Sequence, residues 1–363
     1  MNSRREFLKT LAVAGAGAML PANAQNSARP AGRIDVHHHM QPPFYVNAMQ
    51  DELKRSNFNP RPWSPAISLE AMDKHNIVTS MLSPVQRVVS DSMSDRSERA
   101  RNLTRQNNDF GAQVVRDHPG RFGLFAALPL PDQDGSLKEI EYAYDTLKAD
   151  GIALWTSYLD KWPGDPAFER AFEELNRRNA VVFFHPATAS CCRNLIPGLQ
   201  VAGMIEYDLD TARAAESLLV NGTPGRFPNI RFIFSHSGGA ITVLAARMID
   251  DYPKNRLAQL PKGVEYEFKK FYYETAHASK VPALDALKDL APPVGIVPFV
   301  EIIVEEVLKI RRQLGDVVLV LFVSVGQQIA ERFERWVGEG DNQRTQYATK
   351  KRRLHRRHFE FEE

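Results

Sequence analysis

The chain has 363 residues, of which 43% are hydrophobic and 25% are charged. This composition excludes a largely disordered chain, a collagen and a disulfide-stapled miniprotein, and the length suits one large barrel or two ordinary domains. The 46 basic and 44 acidic residues nearly balance. The chain therefore lacks the strong positive charge that is typical of a nucleic-acid-binding domain.

The N-terminal residues have the three parts of an export signal in the expected order. Arg4 and Arg5 form a twin-arginine pair, an apolar stretch of small residues follows over 11–20, and an A-x-A cleavage site ends at Ala24. The apolar stretch is too short for a permanent membrane span. We therefore predict a twin-arginine signal peptide over residues 1–24, export by that route and a periplasmic location.

A linker over residues 25–32 leads into seven predicted strands, most of them separated by helices. The strands are predicted at 33–39, 76–82, 122–128, 151–155, 181–184, 230–234 and 271–275. The helices are predicted at 70–75 (the end of a helix), 94–118, 137–149, 166–179, 210–221 and 281–290. Apolar strands that alternate with helices predict an α/β fold with a parallel sheet, most simply a (β/α)8 TIM barrel. A doubly wound open sheet is the alternative.

Histidines stand where three of these strands end. His37 and His39 are two residues apart on the first strand, so both side chains face the same side. His185 and His236 follow the fifth and sixth strands. In a barrel the C-terminal ends of the strands meet at one rim, and neutral imidazole is a good ligand for zinc and related metals. The pattern predicts that all four side chains share one pocket.

Several motifs carry a resemblance to a known family. Ile34-Asp35-Val36-His37-His38-His39, Phe184-His185-Pro186 and the segment 234–239 resemble the amidohydrolase superfamily. The closer resemblance is to amidohydrolase family 2, the aminocarboxymuconate-semialdehyde decarboxylase-like branch, and the segments 122–131 and 272–276 are similar to that branch too. The resemblance implies a barrel of the metal-dependent hydrolase type over roughly residues 33 to 293.

The resemblance also implies roles for the histidines. His37, His39 and His185 match ligands of one divalent metal ion, for which we expect Zn²⁺. His236 matches the residue that handles a proton beside the metal. His38 lies between two ligands and is expected to face the other side of the strand. Dimers are common in the family, which makes a homodimer possible.

The family pattern is lost after Pro293. The eighth strand of the family carries a metal-binding aspartate in a Phe-Gly-Ser/Thr-Asp pattern, which this sequence lacks. Glu301 stands near the aspartate's place and is a candidate oxygen ligand. We predict a barrel over 33–301, an atypical apolar and helical segment over 302–343, and a disordered basic tail over 344–363. A shifted reading frame or a fused end would explain this change.

The basic tail changes the charge of the remaining chain. Removal of the signal leaves 43 basic and 43 acidic residues, and seven basic but no acidic residues lie within 344–357. The rest of the exported chain is therefore acidic. Charge runs of this kind are usually solvated, so we expect no nucleic-acid partner and no stable membrane span.

The sequence predicts a metal-dependent, non-oxidative carboxy-lyase that acts on a small aromatic or unsaturated carboxylic acid. Arg87 is a candidate for pairing with the substrate carboxylate, and Trp155 is a candidate wall of an aromatic pocket. Two alternatives stay open. One is a metal-dependent hydrolase of a lactone or an amide. The other is an exported relative whose catalysis is impaired because it lacks the eighth-strand aspartate.

Overall fold

Within the part of the chain that the structure describes, the sheet has seven strands that follow one another in chain order. The computed structural model describes residues 33–55, 60–84, 98–192, 195–196, 202–276 and 281–290. Each strand within these residues is parallel to the strands before and after it. The strands are β1 Arg33–Met40, β2 Ile77–Pro84, β3 Phe122–Ala127, β4 Gly151–Trp155, β5 Val181–His185, β6 Arg231–Phe234 and β7 Tyr272–Tyr273.

Helices fill the connections between most of these strands. They are α1 Pro43–Ala48, α2 Gln50–Arg55, α3 Pro65–Lys74, α4 Glu98–Asp117, α5 Gln133–Glu141, α6 Glu169–Arg177, α7 Glu206–Val220, α8 Thr223–Arg226, α9 Ile241–Asp250, α10 Val264–Phe268 and α11 Val281–Leu290. A π-helical turn, Tyr142–Thr146, extends α5. Among the helices that the structure describes, none has the length and apolar character that a bilayer crossing needs.

The sheet curls into a barrel. Neighbouring strands lie about 4.8 Å apart, so the first and seventh strands of a flat sheet would be separated by about 29 Å. Instead, Nδ1 of His37 on β1 lies 2.7 Å from Oε1 of Glu274, the residue that follows β7. The expected (β/α)8 barrel fold is confirmed over the described residues, and the doubly wound sheet is excluded. The segment predicted to form the eighth strand lies outside the described residues.

Alternation along β5 separates two layers of side chains. Phe184 points outward, where its ring stacks on Phe232 and Phe234 at 5.9 and 5.2 Å beneath the helices. Phe183 points into the barrel, stacks on Phe125 at 5.7 Å and contacts the ring of His37 at 5.4 Å. His185 is two residues further on, so it shares the inner face with Phe183. The apolar interior therefore forms the floor beneath the histidines.

Two predicted helices begin earlier than expected. We expected one helix to start at residue 137, but α5 begins at Gln133 because the side chain of Asp132 accepts the Gly135 N–H at 3.0 Å and caps it. Helix α7 begins at Glu206 rather than at residue 210, with Glu206 and Asp208 in its first turn. The last predicted strand is shorter than expected, since β7 contains only Tyr272 and Tyr273.

Candidate metal centre

Four histidines from three strand ends form one cluster at the C-terminal rim of the barrel. The centre of the His37 ring lies 4.7 Å from the ring centre of His39, 4.9 Å from that of His185 and 5.1 Å from that of His236. The rings of His39 and His185 are 4.6 Å apart. The structure thus brings together the four residues that the sequence singled out, and we call them the four-histidine cluster.

The nitrogens of this cluster are close enough to share an ion. His37, His185 and His236 each offer a nitrogen, and these nitrogens lie within 4.8 Å of one another. Nε2 of His39 is 2.9 Å from Nε2 of His37. Three histidines suffice to hold a zinc ion. The group of three that meets this spacing includes His236 in place of His39, which the sequence had grouped with His37 and His185.

Burial keeps two of these rings in the neutral form that binds metals. The pKa of His39 lies well below its usual value, mainly because the ring is buried and also because His37, His38 and His236 repel a positive charge on it. The pKa of His185 is lowered in the same way, mainly by burial and also by repulsion from His39, His37 and His236. Neutral imidazole has a lone pair available for coordination. The donor set thus fits a divalent transition metal.

The turn after β6 places His236 through an unusual backbone conformation. His236 and Ser237 both have a positive φ of 54°, and Gly238 and Gly239 follow with φ of 76° and 56°. A side chain at Gly238 would meet the ring of Tyr273, and one at Gly239 would meet the backbone of Asp208. The two glycines therefore let protein groups approach closely, which keeps the turn in place.

Glu274 is the site residue that our sequence reasoning missed. Only 1% of its surface is exposed, and its Oε1 accepts hydrogen bonds from Nδ1 of His37 at 2.7 Å and from the His236 N–H at 2.6 Å. Burial would raise the pKa of this carboxyl, but His37 and His236 outweigh burial and bring it to about 2. The signal in the sequence was an acidic residue directly after an apolar strand, within a segment that already resembled the family.

His38 takes no part in the cluster. Its Nδ1 lies 2.8 Å from Oδ2 of Asp35, and its Nε2 lies 2.8 Å from Oγ of Ser68 on α3. Asp35 also accepts the backbone N–H of His37 at 2.9 Å. These contacts agree with the expectation that His38 faces the other side of the strand, and they fix the backbone that carries His37.

Trp155 ends β4 directly beside the cluster. It is the register partner of His185 on β5, and only 1% of its surface is exposed. Its backbone N–H donates to the hydroxyl of Tyr158 at 3.1 Å, while its buried indole Nε1 has no partner among the described residues. Arg87 and Glu301, the other two predicted site residues, lie outside the described residues.

Comparison with known proteins gives the same family. The sequence model of the amidohydrolase family matches residues 34–311, and that of the twin-arginine translocation pathway signal sequence matches residues 1–21. The family match covers most of the chain and extends beyond the barrel boundary that we predicted at residue 301. The match at residues 1–21 shows that the chain carries the predicted twin-arginine export signal.

Three curated relatives are decarboxylases. "Decarboxylase macB" of Penicillium terrestre is 37% identical over 265 residues, covering 70% of this chain and 78% of that protein. The 6-methylsalicylic acid decarboxylase of Penicillium expansum is 34% identical over 272 residues, covering 72% and 82%. The 2-amino-3-carboxymuconate-6-semialdehyde decarboxylase of Dictyostelium discoideum is 26% identical over 186 residues, covering 51% of each chain.

Solved structures share the fold. A 2,6-dihydroxybenzoate decarboxylase complexed with 2,6-dihydroxybenzoate has a TM-score of 0.60 at 21% identity, covering 73% of this chain and 87% of that chain. A dihydroxybenzoic acid decarboxylase from a Polaromonas species, with bound manganese and the inhibitor 2-nitroresorcinol, has a TM-score of 0.55 at 21% identity, covering 73% and 85%. The match to the family model over residues 34–311 and the curated relatives show that the chain belongs to the amidohydrolase family.

Proposed function

We propose that this chain is a metal-dependent, non-oxidative decarboxylase of a small aromatic carboxylic acid. The observation that carries the proposal is the convergence of His37, His39, His185 and His236 at the rim of the barrel. Named decarboxylases among the relatives, at 37% and 34% identity, support the reaction class. The acid would bind at this rim of the barrel, beside the four-histidine cluster.

We assign His37, His39 and His185 as ligands of a divalent ion, for which we propose Zn²⁺. When bound, such an ion supplies a Lewis acid that polarises oxygen atoms of the substrate. Imidazole nitrogens suit zinc, and the pKa values of His39 and His185 keep those two side chains neutral for coordination. Glu301 is the candidate oxygen ligand from the atypical C-terminal end.

We assign His236 as the residue that donates a proton to the substrate. A nitrogen of its imidazole gives a proton to the ring carbon that bears the carboxylate, and the bond between that carbon and the carboxylate then breaks. The electrons of the broken bond stay in the ring, and carbon dioxide leaves. Water returns the proton to His236, so one carboxylate and one proton yield one arene and one carbon dioxide.

Two residues are proposed to hold the substrate. Trp155 is the register partner of His185 and is 1% exposed, so its indole would serve as a buried wall behind the substrate ring. Arg87 follows β2 in the sequence, and a guanidinium there would pair with a carboxylate through two hydrogen bonds.

For the exported protein we propose a periplasmic location, and we propose a homodimer as its assembly.

The test compares two histidine variants with a matched control. His236→Ala should keep the bound metal and lose roughly a hundredfold or more in turnover, whereas His185→Ala should lose the metal. His118→Ala is the control, because the His118 ring packs on Phe122 at the opposite, N-terminal end of β3. Metal content, carbon dioxide release from a panel of aromatic acids, and turnover are measured for all three variants.

The outcomes separate the proposed roles. If His236→Ala strips the metal and His185→Ala keeps it, the two assignments are reversed. Product analysis distinguishes a decarboxylase, which releases carbon dioxide, from a hydrolase, which consumes water. Bound metal without turnover on any acid of the panel would contradict the proposed activity and favour the impaired relative.

A further inference from the structure

Glu274 is buried at the meeting point of β1, the turn after β6 and the end of β7. We infer that it is a positioning residue, which holds His37 so that Nε2 faces the metal and at the same time secures the turn that carries His236. The inference rests on the proposed metal site.

The first observation is that each hydrogen bond of the carboxylate is made to the site or to its own loop. Oε1 accepts from Nδ1 of His37 at 2.7 Å and from the backbone N–H of His236 at 2.6 Å. Oε2 accepts from the backbone N–H of Ala276 at 2.7 Å. Three N–H groups therefore fix the orientation of one buried carboxylate.

The bond to His37 decides which ring nitrogen carries the proton. A carboxylate accepts but does not donate, so the ring must carry its proton on Nδ1. In that tautomer Nε2 carries no proton and presents its lone pair, and this atom is the one that lies 2.9 Å from Nε2 of His39. Metal-binding histidines commonly have such a carboxylate partner, which fixes the tautomer and makes the ring a stronger ligand.

The bond to His236 acts on the backbone. His236 has a positive φ of 54°, a conformation that is uncommon for a residue other than glycine. The Ser237 N–H donates to the main-chain oxygen of Glu274, so two consecutive residues of the turn bind this one residue. The position of His236 therefore depends on the same carboxylate oxygen that orients His37.

The experiment measures Zn²⁺ affinity of the full chain by competition with a chromophoric chelator. We expect Glu274→Gln to weaken Zn²⁺ binding by about 10- to 100-fold. A glutamine has one carbonyl oxygen, and its amide can donate to Nδ1 of His37 and so favour the wrong tautomer. Glu274→Asp keeps the charge and the acceptor chemistry, so we expect its affinity to lie between those of Glu274→Gln and the wild type.

Glu139→Gln is the matched control for burial. Glu139 is 4% exposed and accepts hydrogen bonds from Arg105 and Asn108, so this change also disturbs a buried glutamate network. We expect it to lower thermal stability and leave Zn²⁺ affinity unchanged. Nitrogen-15 NMR of labelled histidine should show the Nδ1–H tautomer of His37 in the wild type and its loss in Glu274→Gln.

Two results would overturn the inference. One is a Glu274→Gln chain with wild-type Zn²⁺ affinity. The other is a Glu139→Gln chain whose affinity falls equally, which would mean that any buried glutamate has this effect. Neither readout depends on turnover. A wild-type chain that binds Zn²⁺ through the Nδ1–H tautomer but releases no carbon dioxide would refute the decarboxylase and leave the role of Glu274 intact.

Discussion

Asp150, directly before β4, is expected to make the folded state less stable as the pH rises. Its backbone N–H donates to the Leu124 carbonyl oxygen at 2.9 Å, and its Oδ2 accepts the Leu124 N–H at 2.9 Å. Burial raises the pKa of this carboxyl to about 6, and the hydrogen bond from Leu124 only partly opposes that effect. The ionised form is therefore the disfavoured one in the folded protein.

The difference in the pKa of Asp150 between the folded and unfolded states sets how its contribution to the free energy of unfolding changes with pH. The folded state binds this proton more tightly than the unfolded state, so the contribution of Asp150 is fully present below about pH 4 and is lost as the pH rises through about 6. A difference of about two pKa units corresponds to about 3 kcal/mol. This value is an upper limit for Asp150→Asn, because the aspartate side chain is only partly shielded from water.

The assay is urea unfolding of the full chain and its variants, followed by circular dichroism at intervals between pH 4 and pH 8. Asparagine keeps a carbonyl oxygen for the Leu124 N–H, so the gain in unfolding free energy of Asp150→Asn should grow from pH 4 to about pH 7 and then level off. The exposed Asp250 on α9 provides the control Asp250→Asn. If both variants follow the wild type at every pH, the argument from burial is refuted.

Three further predictions concern the barrel floor, the pocket and export. Phe183→Ala removes a fully buried ring beneath His37, so it should reduce the free energy of unfolding by about 3–5 kcal/mol in the same urea assay. A loss below about 1 kcal/mol would contradict this packing. Trp155→Ala should raise the KM for an aromatic acid by about tenfold while Trp155→Phe stays near the wild type, and equal KM values would exclude the pocket role. Replacement of Arg4 and Arg5 by lysine should leave the precursor in the cytosol on cell fractionation, and normal export would contradict the signal assignment.

Local patterns predicted the strands well because each strand is an apolar run between clear stop signals. The prediction of 151–155 matches β4 to the residue, and the predicted run 181–184 with the following His185 matches β5. Helix starts were less accurate. The start of α5 depends on the cap made by Asp132, and the apolar pattern that we followed begins only further along the helix.

The four histidines were predictable because strand ends converge in a parallel barrel, whatever the length of chain between them. Glu274 also follows a strand, but its contact with His37, which is 237 positions away in the sequence, could not be predicted. No periodicity or spacing around Glu274 indicates that contact. It follows from the curl of the sheet, which brings the end of β7 next to β1.

The carboxylate of Glu274 also supplies part of what the missing eighth-strand aspartate would have contributed, namely a negative charge near the proposed metal. A divalent ion held only by neutral imidazoles would leave two positive charges in a buried site, and such a charge requires compensation. Glu274 provides a negative charge 2.7 Å from the ring of one proposed ligand, His37. The missing aspartate motif thus takes away a direct oxygen ligand but does not leave the four-histidine cluster without a counter-charge. Three imidazoles are enough to hold zinc, so the three proposed histidine ligands would suffice in number without the aspartate.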